Sequence, residues 1–113
     1  MNQFDLTKKY NIDFNRLLSN LLKYNPEKIF IFGSYARGDW DEFSDLDLII
    51  IKETNKPLLE RLSDLVKYLK DTPKAIDVLV YTPKEFEEMR KNNNMFIKMV
   101  FEEGAVVYDR NQR

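Results

Sequence analysis

Two short apolar runs, Lys28-Ile29-Phe30-Ile31-Phe32 and Leu48-Ile49-Ile50-Ile51, constrain this chain more than any other feature. Both are rich in β-branched and aromatic side chains, and each reads as a buried strand. The stretch between them, Gly-Ser-Tyr-Ala-Arg-Gly-Asp-Trp-Asp-Glu-Phe-Ser-Asp-Leu-Asp, carries more chemistry than a connection needs. Gly33-Ser34 ends the first strand and starts a short helical turn. There, free backbone N–H groups, the positive helix end, a hydroxyl and a glycine without a side chain together suit a phosphate. Asp45-Leu46-Asp47 leads into the second strand, where residues i and i+2 share a face, so Asp45 and Asp47 project side by side. Two adjacent carboxylates repel each other unless something positive lies between them, and oxygen-only ligands favour Mg²⁺ or Mn²⁺ over zinc. The stretch reads as a phosphate cradle beside a divalent-metal site.

What the chain lacks narrows the chemistry further. With no Cys and no His there is no disulfide, thiolate ligand or imidazole base, so catalysis has to use carboxylates, hydroxyls, Lys, Arg and a metal. Lys plus Arg (18) nearly balance Asp plus Glu (19), which disfavours long polyanions as substrates and a stable nucleic-acid partner. No signal-like N-terminus and no apolar run long enough to span a bilayer is present, so a cytoplasmic protein with no membrane partner is expected. The 113 residues read as one domain, 1–113, without repeats or linkers.

Along the rest of the chain, the first dozen residues give no clear pattern. Asp13 suits the cap of a helix with Phe14, Leu17, Leu18, Leu21 and Leu22 in one stripe, ended by Asn25-Pro26. Lys52 to Lys56 is loop, and Lys52 and Lys56 read as surface lysines. Pro57 opens a helix with Leu58, Leu62, Leu65, Val66 and Leu69 as its apolar stripe. Asp71-Thr72-Pro73 is a turn, and Ala75 to Tyr81 reads as a third strand interrupted by Asp77. Thr82-Pro83-Lys84-Glu85 is a capping box opening a helix with Phe86 and Met89 on one side. Asn92-Asn93-Asn94 interrupts it, Met95 to Glu103 resumes with Phe96, Met99 and Val100, Gly104 suits the position after the helix end, and Ala105 to Tyr108 is a last strand. The order predicts an α/β (α+β) protein with helices packed on a small sheet.

Gly33-Ser34, ten intervening residues and Asp45-x-Asp47, within the fuller string Gly-Ser-x-Ala-Arg-Gly…Ser-Asp-Leu-Asp-Leu, resemble the signature of the minimal nucleotidyltransferases of the DNA polymerase β superfamily. The resemblance covers roughly residues 12 to 109, with its diagnostic part in residues 33 to 48 and one later carboxylate. It implies the nucleotidyltransferase fold, with a mixed sheet. It also implies two metal ions, Mg²⁺ or Mn²⁺, held by Asp45 and Asp47 against the triphosphate of ATP, whose β and γ phosphates rest on Gly33 and Ser34. The family's third carboxylate lies on the strand after the pair, and Asp77 is the residue positioned for it. Read alone, Asp77 is an edge charge facing water; on one strand face with Leu79 and Tyr81 it calls for a compensating partner.

The activity implied is transfer of AMP from ATP to a hydroxyl. Larger relatives carry a further domain that grips the acceptor, so here another molecule brings it. The minimal family is commonly paired with a HEPN-domain ribonuclease toxin that it neutralises by adenylylating a tyrosine, which implies an antitoxin. The alternative is a binding module that silences such a partner by occlusion, against which the clustered carboxylates count. Arg37 is either a phosphate clamp or a structural partner for a carboxylate. Ser44 is assigned to the loop backbone and Gly38 to a turn. Trp40 and Phe43 stack a base, contact a partner or, the favoured reading, pack down on the core. Homo-oligomerisation stays open.

Overall fold

The computed structural model describes residues 14–69 and 75–112. The chain runs α1 (Phe14–Leu22), β1 (Lys28–Phe32), α2 (Ser34–Arg37), β2 (Leu46–Ile51), α3 (Leu58–Val66), β3 (Ile76–Tyr81), α4 (Pro83–Lys91), α5 (Met95–Glu103) and β4 (Ala105–Asp109). The strands form one sheet in the order β3-β2-β1-β4. β1 is antiparallel to both β2 and β4, whereas β2 and β3 are parallel, so the sheet is mixed as the resemblance implies.

Strand alternation divides the side chains between two cores. On one face Ile29, Ile31, Leu48, Ile50 and Val80 pack with Phe14, Leu17 and Leu21 of α1 and Leu65 of α3. On the other, Phe30, Ile49 and Ile51 meet Phe86 of α4 with Ile97 and Val100 of α5. The central strand β2 is therefore buried on both faces, which is why its sequence is a continuous apolar run rather than an alternating one. No described helix is long and apolar enough to cross a membrane.

Several local readings change. The Asp13 cap and the Asp71-Thr72-Pro73 turn lie outside the described residues. Pro57 is the residue before α3 rather than its first, and two members of the expected stripe, Leu58 and Val66, face solvent at 42% and 60% exposure. The buried face of α3 instead contains Arg61, whose guanidinium bonds the carbonyls of Lys56 (2.7 Å) and Val80 (3.0 Å) and both carboxylate oxygens of Glu85 (2.7 and 3.0 Å). A charge accepted into the interior is satisfied at every edge of its fork, which is what makes its burial tolerable. Glu85 also closes the capping box with Thr82, so one side chain ties α3 to the start of α4.

Gly104 ends α5 in extended backbone, at φ −87°, rather than in the left-handed turn its position suggested. Its need is space: a Cβ there would stand 2.5 Å from the carbonyl oxygen of Val100 and 2.7 Å from that of Ile31. Lys52 is not a free surface lysine. Its Nζ donates to the Tyr24 carbonyl (2.6 Å) and lies 4.5 Å from the Tyr24 ring centroid, and burial pushes its pKa down. Lys56 pairs with Asp64.

Candidate active site

The strand directions decide where the chemistry gathers. Because β1 and β2 are antiparallel, the end of β1 lies beside the start of β2; because β2 and β3 are parallel, their starts coincide. The register places Phe32 opposite Asp47 and Asp47 opposite Asp77, so one row across the sheet reads Phe32, Asp47, Asp77, on the face covered further along by α4 and α5. Gly33 follows Phe32 at the same sheet end.

Gly33 has φ +74° and ψ −155°, backbone that side-chain-bearing residues rarely adopt. The place where its Cβ would stand is already taken by the Asp47 carboxylate, with Oδ2 inside collision distance and Cγ at 3.1 Å. The glycine thus presses bare backbone against the aspartate. It is also the residue before α2, and it supplies no side-chain cap to that turn. Ser34, half-buried, is the first residue of α2, and its carbonyl accepts from the N–H groups of Gly38 (2.9 Å) and Asp39 (3.2 Å) as the chain turns away through Gly38 at φ +89°. Gly38 does serve a turn.

Of the three carboxylates, Asp47 is half-buried while Asp45 and Asp77 are exposed. Asp45 stands one residue before β2 rather than within it. Burial raises the pKa of Asp47, followed by the charges of Asp77 and Asp45 and a hydrogen bond with Asp77; Arg37 opposes the shift. Water at Asp77 supplies the compensation that an apolar strand face was expected to withhold, so its exposure alone does not demand a cation. Among the described residues, no group of three or more acidic side chains is gathered into a ready-made metal cage. The donor set nonetheless fits a hard divalent cation in kind. Asp47 and Asp77 are paired neighbours offering oxygen donors only, and the charges of Asp77 and Asp45 both act on Asp47.

Arg37 stands on the surface beside the site, near enough to Asp47 to oppose its shift. Its guanidinium bonds Asp39 (3.2 Å) and approaches Glu103 of α5 (3.9 Å), and the Asp39 bond raises its pKa. Ser44 serves its loop as anticipated: its Oγ accepts the Asp41 N–H at 2.9 Å. Trp40 packs on the core, its ring stacked on buried Tyr35 at 5.5 Å and 7°. Phe43 does the opposite and stands 84% exposed. Sequence reasoning missed Phe32, which borders the carboxylate row and meets Phe96 edge-on at 5.3 Å. Only the β1–β2 register reveals that neighbour.

With this geometry in view, the comparisons with known proteins agree. Residues 15–113 match the model of the polymerase beta nucleotidyltransferase family, and the chain belongs to that family. Within it the chain is a nucleotidyltransferase similar to two Methanocaldococcus jannaschii proteins, each described as a "putative protein adenylyltransferase". One is 38% identical over 69 residues, spanning 60% of this chain and 68% of its own. The other is 34% identical over 97 residues, spanning 85% and 92%. The fold is shared with a crystallised toxin–antitoxin complex solved with AMP-PNP, at a TM-score of 0.64 and 19% identity, covering 89% of this chain and 77% of that one. The likeness to the minimal nucleotidyltransferases and the enzyme class read from the motif both hold.

Proposed function

We propose that this protein transfers AMP from ATP to a hydroxyl on a partner protein, the tyrosine of a HEPN-domain toxin, and thereby acts as the antitoxin of the pair. The observation that carries the reading is the close approach of Gly33 backbone to the Asp47 carboxylate, beside Asp77 in the next strand, so that a phosphate resting on Gly33 would lie against both carboxylates. The relatives described as protein adenylyltransferases and the toxin–antitoxin complex with AMP-PNP support the choice of nucleotide and acceptor.

Asp45, Asp47 and Asp77 would hold Mg²⁺ or Mn²⁺, two ions, which when bound neutralise the triphosphate and favour in-line displacement. Gly33 lets the β and γ phosphates come close to the backbone, and the Ser34 hydroxyl donates to them. Asp77, the exposed carboxylate of the row, faces the incoming acceptor and takes the proton from its hydroxyl. The acceptor oxygen then bonds the α-phosphorus as the bond from that phosphorus to the bridging oxygen breaks, and pyrophosphate leaves. Arg37, seated between Asp39 and Glu103, holds α2 against the end of α5.

The test is incubation with ATP labelled at the α-phosphate, Mg²⁺ and the protein encoded in the adjacent reading frame, followed by intact mass measurement. Label on that protein, matched by pyrophosphate release and abolished by excess chelator, is expected. Tight nucleotide binding without any transfer overturns the proposal in favour of occlusion.

A further inference from the structure

The loop between the two halves of the site presents a side chain that the chemistry above does not use. Phe43 is 84% exposed. Isolated exposed apolar residues are ordinary, but this one is held in place. Its own N–H donates to Asp41 Oδ1 (2.9 Å), the Asp41 N–H donates to Ser44 Oγ (2.9 Å), and the Ser44 N–H donates to the Asp41 carbonyl (3.1 Å). Trp40, three residues earlier, fastens the loop to the core through Tyr35. An aromatic ring is therefore displayed on a fixed turn two residues from Asp45, and much of the ordering that binding requires is already in place.

We propose that Phe43 is the anchor by which the acceptor protein docks, its ring entering an apolar socket on a partner whose surrounding surface is basic. This rests on the reading that the acceptor is a protein. The charge around the ring selects the occupant. Asp39, Asp41 and Glu42 are exposed on this loop, and Arg37 beside them pairs with Asp39, so the surface around the ring keeps a net negative charge. Such a surface attracts a cationic protein, so a basic partner surface suits the ring. An aromatic residue seated in a desolvated pocket within a complementary polar rim is the usual form of an interface hot spot.

The test uses the full chain and the protein encoded in the adjacent reading frame as probe. Binding is read by calorimetry and transfer by mass, for wild type, Phe43→Ala, Phe43→Leu and Glu42→Lys. Because the Phe43 side chain is exposed, the two Phe43 variants should melt within a degree or two of wild type. Phe43→Ala is expected to raise both the Kd and the KM for the probe at least tenfold, with ATP affinity and kcat at saturating probe unchanged. Phe43→Leu should recover part of the loss, and Glu42→Lys should slow association most at low salt. Unchanged probe affinity in Phe43→Ala overturns the proposal. Weakened ATP affinity in that variant also overturns it, by placing the base on the ring. If wild type binds the probe without transferring AMP, the proposed activity fails while the binding series still decides the role of Phe43. If wild type does not bind the probe, the docking assignment fails whether or not ATP binds.

Discussion

Replacing Gly33 by Ala tests the contact on which the site depends, and its cost divides into two parts. The backbone at φ +74° and ψ −155° lies in a region reserved almost entirely for glycine, which costs a residue with a Cβ about 1 to 3 kcal/mol. The new methyl also lands on the Asp47 carboxylate, whose Cγ is 3.1 Å away; pushing side chains aside in packed surroundings costs about 1 to 3 kcal/mol, with the lower end apt for a half-buried group. Against this, alanine restricts the unfolded chain and returns about 0.4 to 1 kcal/mol. The net loss is about 2 to 3 kcal/mol, a fall in Tm of about 8 to 12 °C if a domain of this size shifts about 4 °C per kcal/mol. Urea unfolding of Gly33→Ala, Asp47→Ala and the double variant separates the parts. Ala at 47 keeps only a Cβ at an ordinary 3.4 Å, so the collision disappears and the backbone cost remains. Gly33→Ala should therefore be less damaging in the Asp47→Ala background by at least about 0.5 kcal/mol, outside the range expected of independent sites. Equal cost in the two backgrounds would refute the close approach of Gly33 to Asp47.

Three further outcomes follow from the same geometry. The raised pKa of Asp47 means that its protonated form is favoured in the fold; that contribution is complete below the ordinary Asp range and is lost as pH rises through the raised value, so Asp47→Asn should flatten this loss and be at least as stable as wild type at neutral pH without ligand. Thermal melts across acid to neutral pH check this, and a clearly lower neutral melting point for the variant would contradict it. Ser34→Ala should leave the melting point nearly unchanged while reducing the stabilisation by ATP with Mg²⁺, which in wild type at a hundredfold excess over Kd amounts to about 2.7 kcal/mol; equal ligand shifts would reduce Ser34 to a helix residue. Arg61→Met should lose about 2 to 4 kcal/mol in urea titrations, since it removes a fork bonded to Glu85 and two carbonyls, and Arg61→Lys should recover little because an ammonium cannot reproduce that fork.

The parts of this protein that sequence reasoning reaches are those set by local patterns. Lys28–Phe32 is a strand because every residue in it except Lys28 is apolar and bulky, and Thr82 with Glu85 caps α4 because the donor and acceptor lie three residues apart. The expectations of a phosphate cradle at Gly33-Ser34 and of a carboxylate pair at Asp45-x-Asp47 rest on equally local patterns. Periodicity fails where burial depends on a remote partner. Arg61 reads as a member of a charged face, and only Glu85, on another helix, and the carbonyl of Val80, at the end of another strand, make its interior position tenable. Val66, five residues from Arg61 and so on another side of the helix, is exposed in consequence, whereas Leu58 is exposed as the first residue of the helix. Gly104 fails for a related reason: a glycine after a helix signals either a left-handed turn or a close approach, and the approaching atom, the carbonyl of Ile31, belongs to a strand far away in sequence.

The candidate site combines both kinds of information, which explains why the motif needs its spacing. A glycine after one strand and an aspartate at the start of the next meet only if those strands are antiparallel neighbours; Asp77 joins them only if the third strand runs parallel to the second on its other side. The residues from Ser34 to Asp45 must then turn the chain back at the same sheet end. They do so with a short helix stopped at Gly38, a tryptophan fastened to the core and a bonded turn at Asp41 to Ser44. A shorter connection would have no room for α2 while the strands stay paired through Phe32 and Asp47. Since the strand pairing fixes both ends of this connection, Gly33, Asp47 and Asp77 are positioned by the sheet, and the displayed Phe43 is the one large apolar side chain of the loop that the fold itself leaves uncovered.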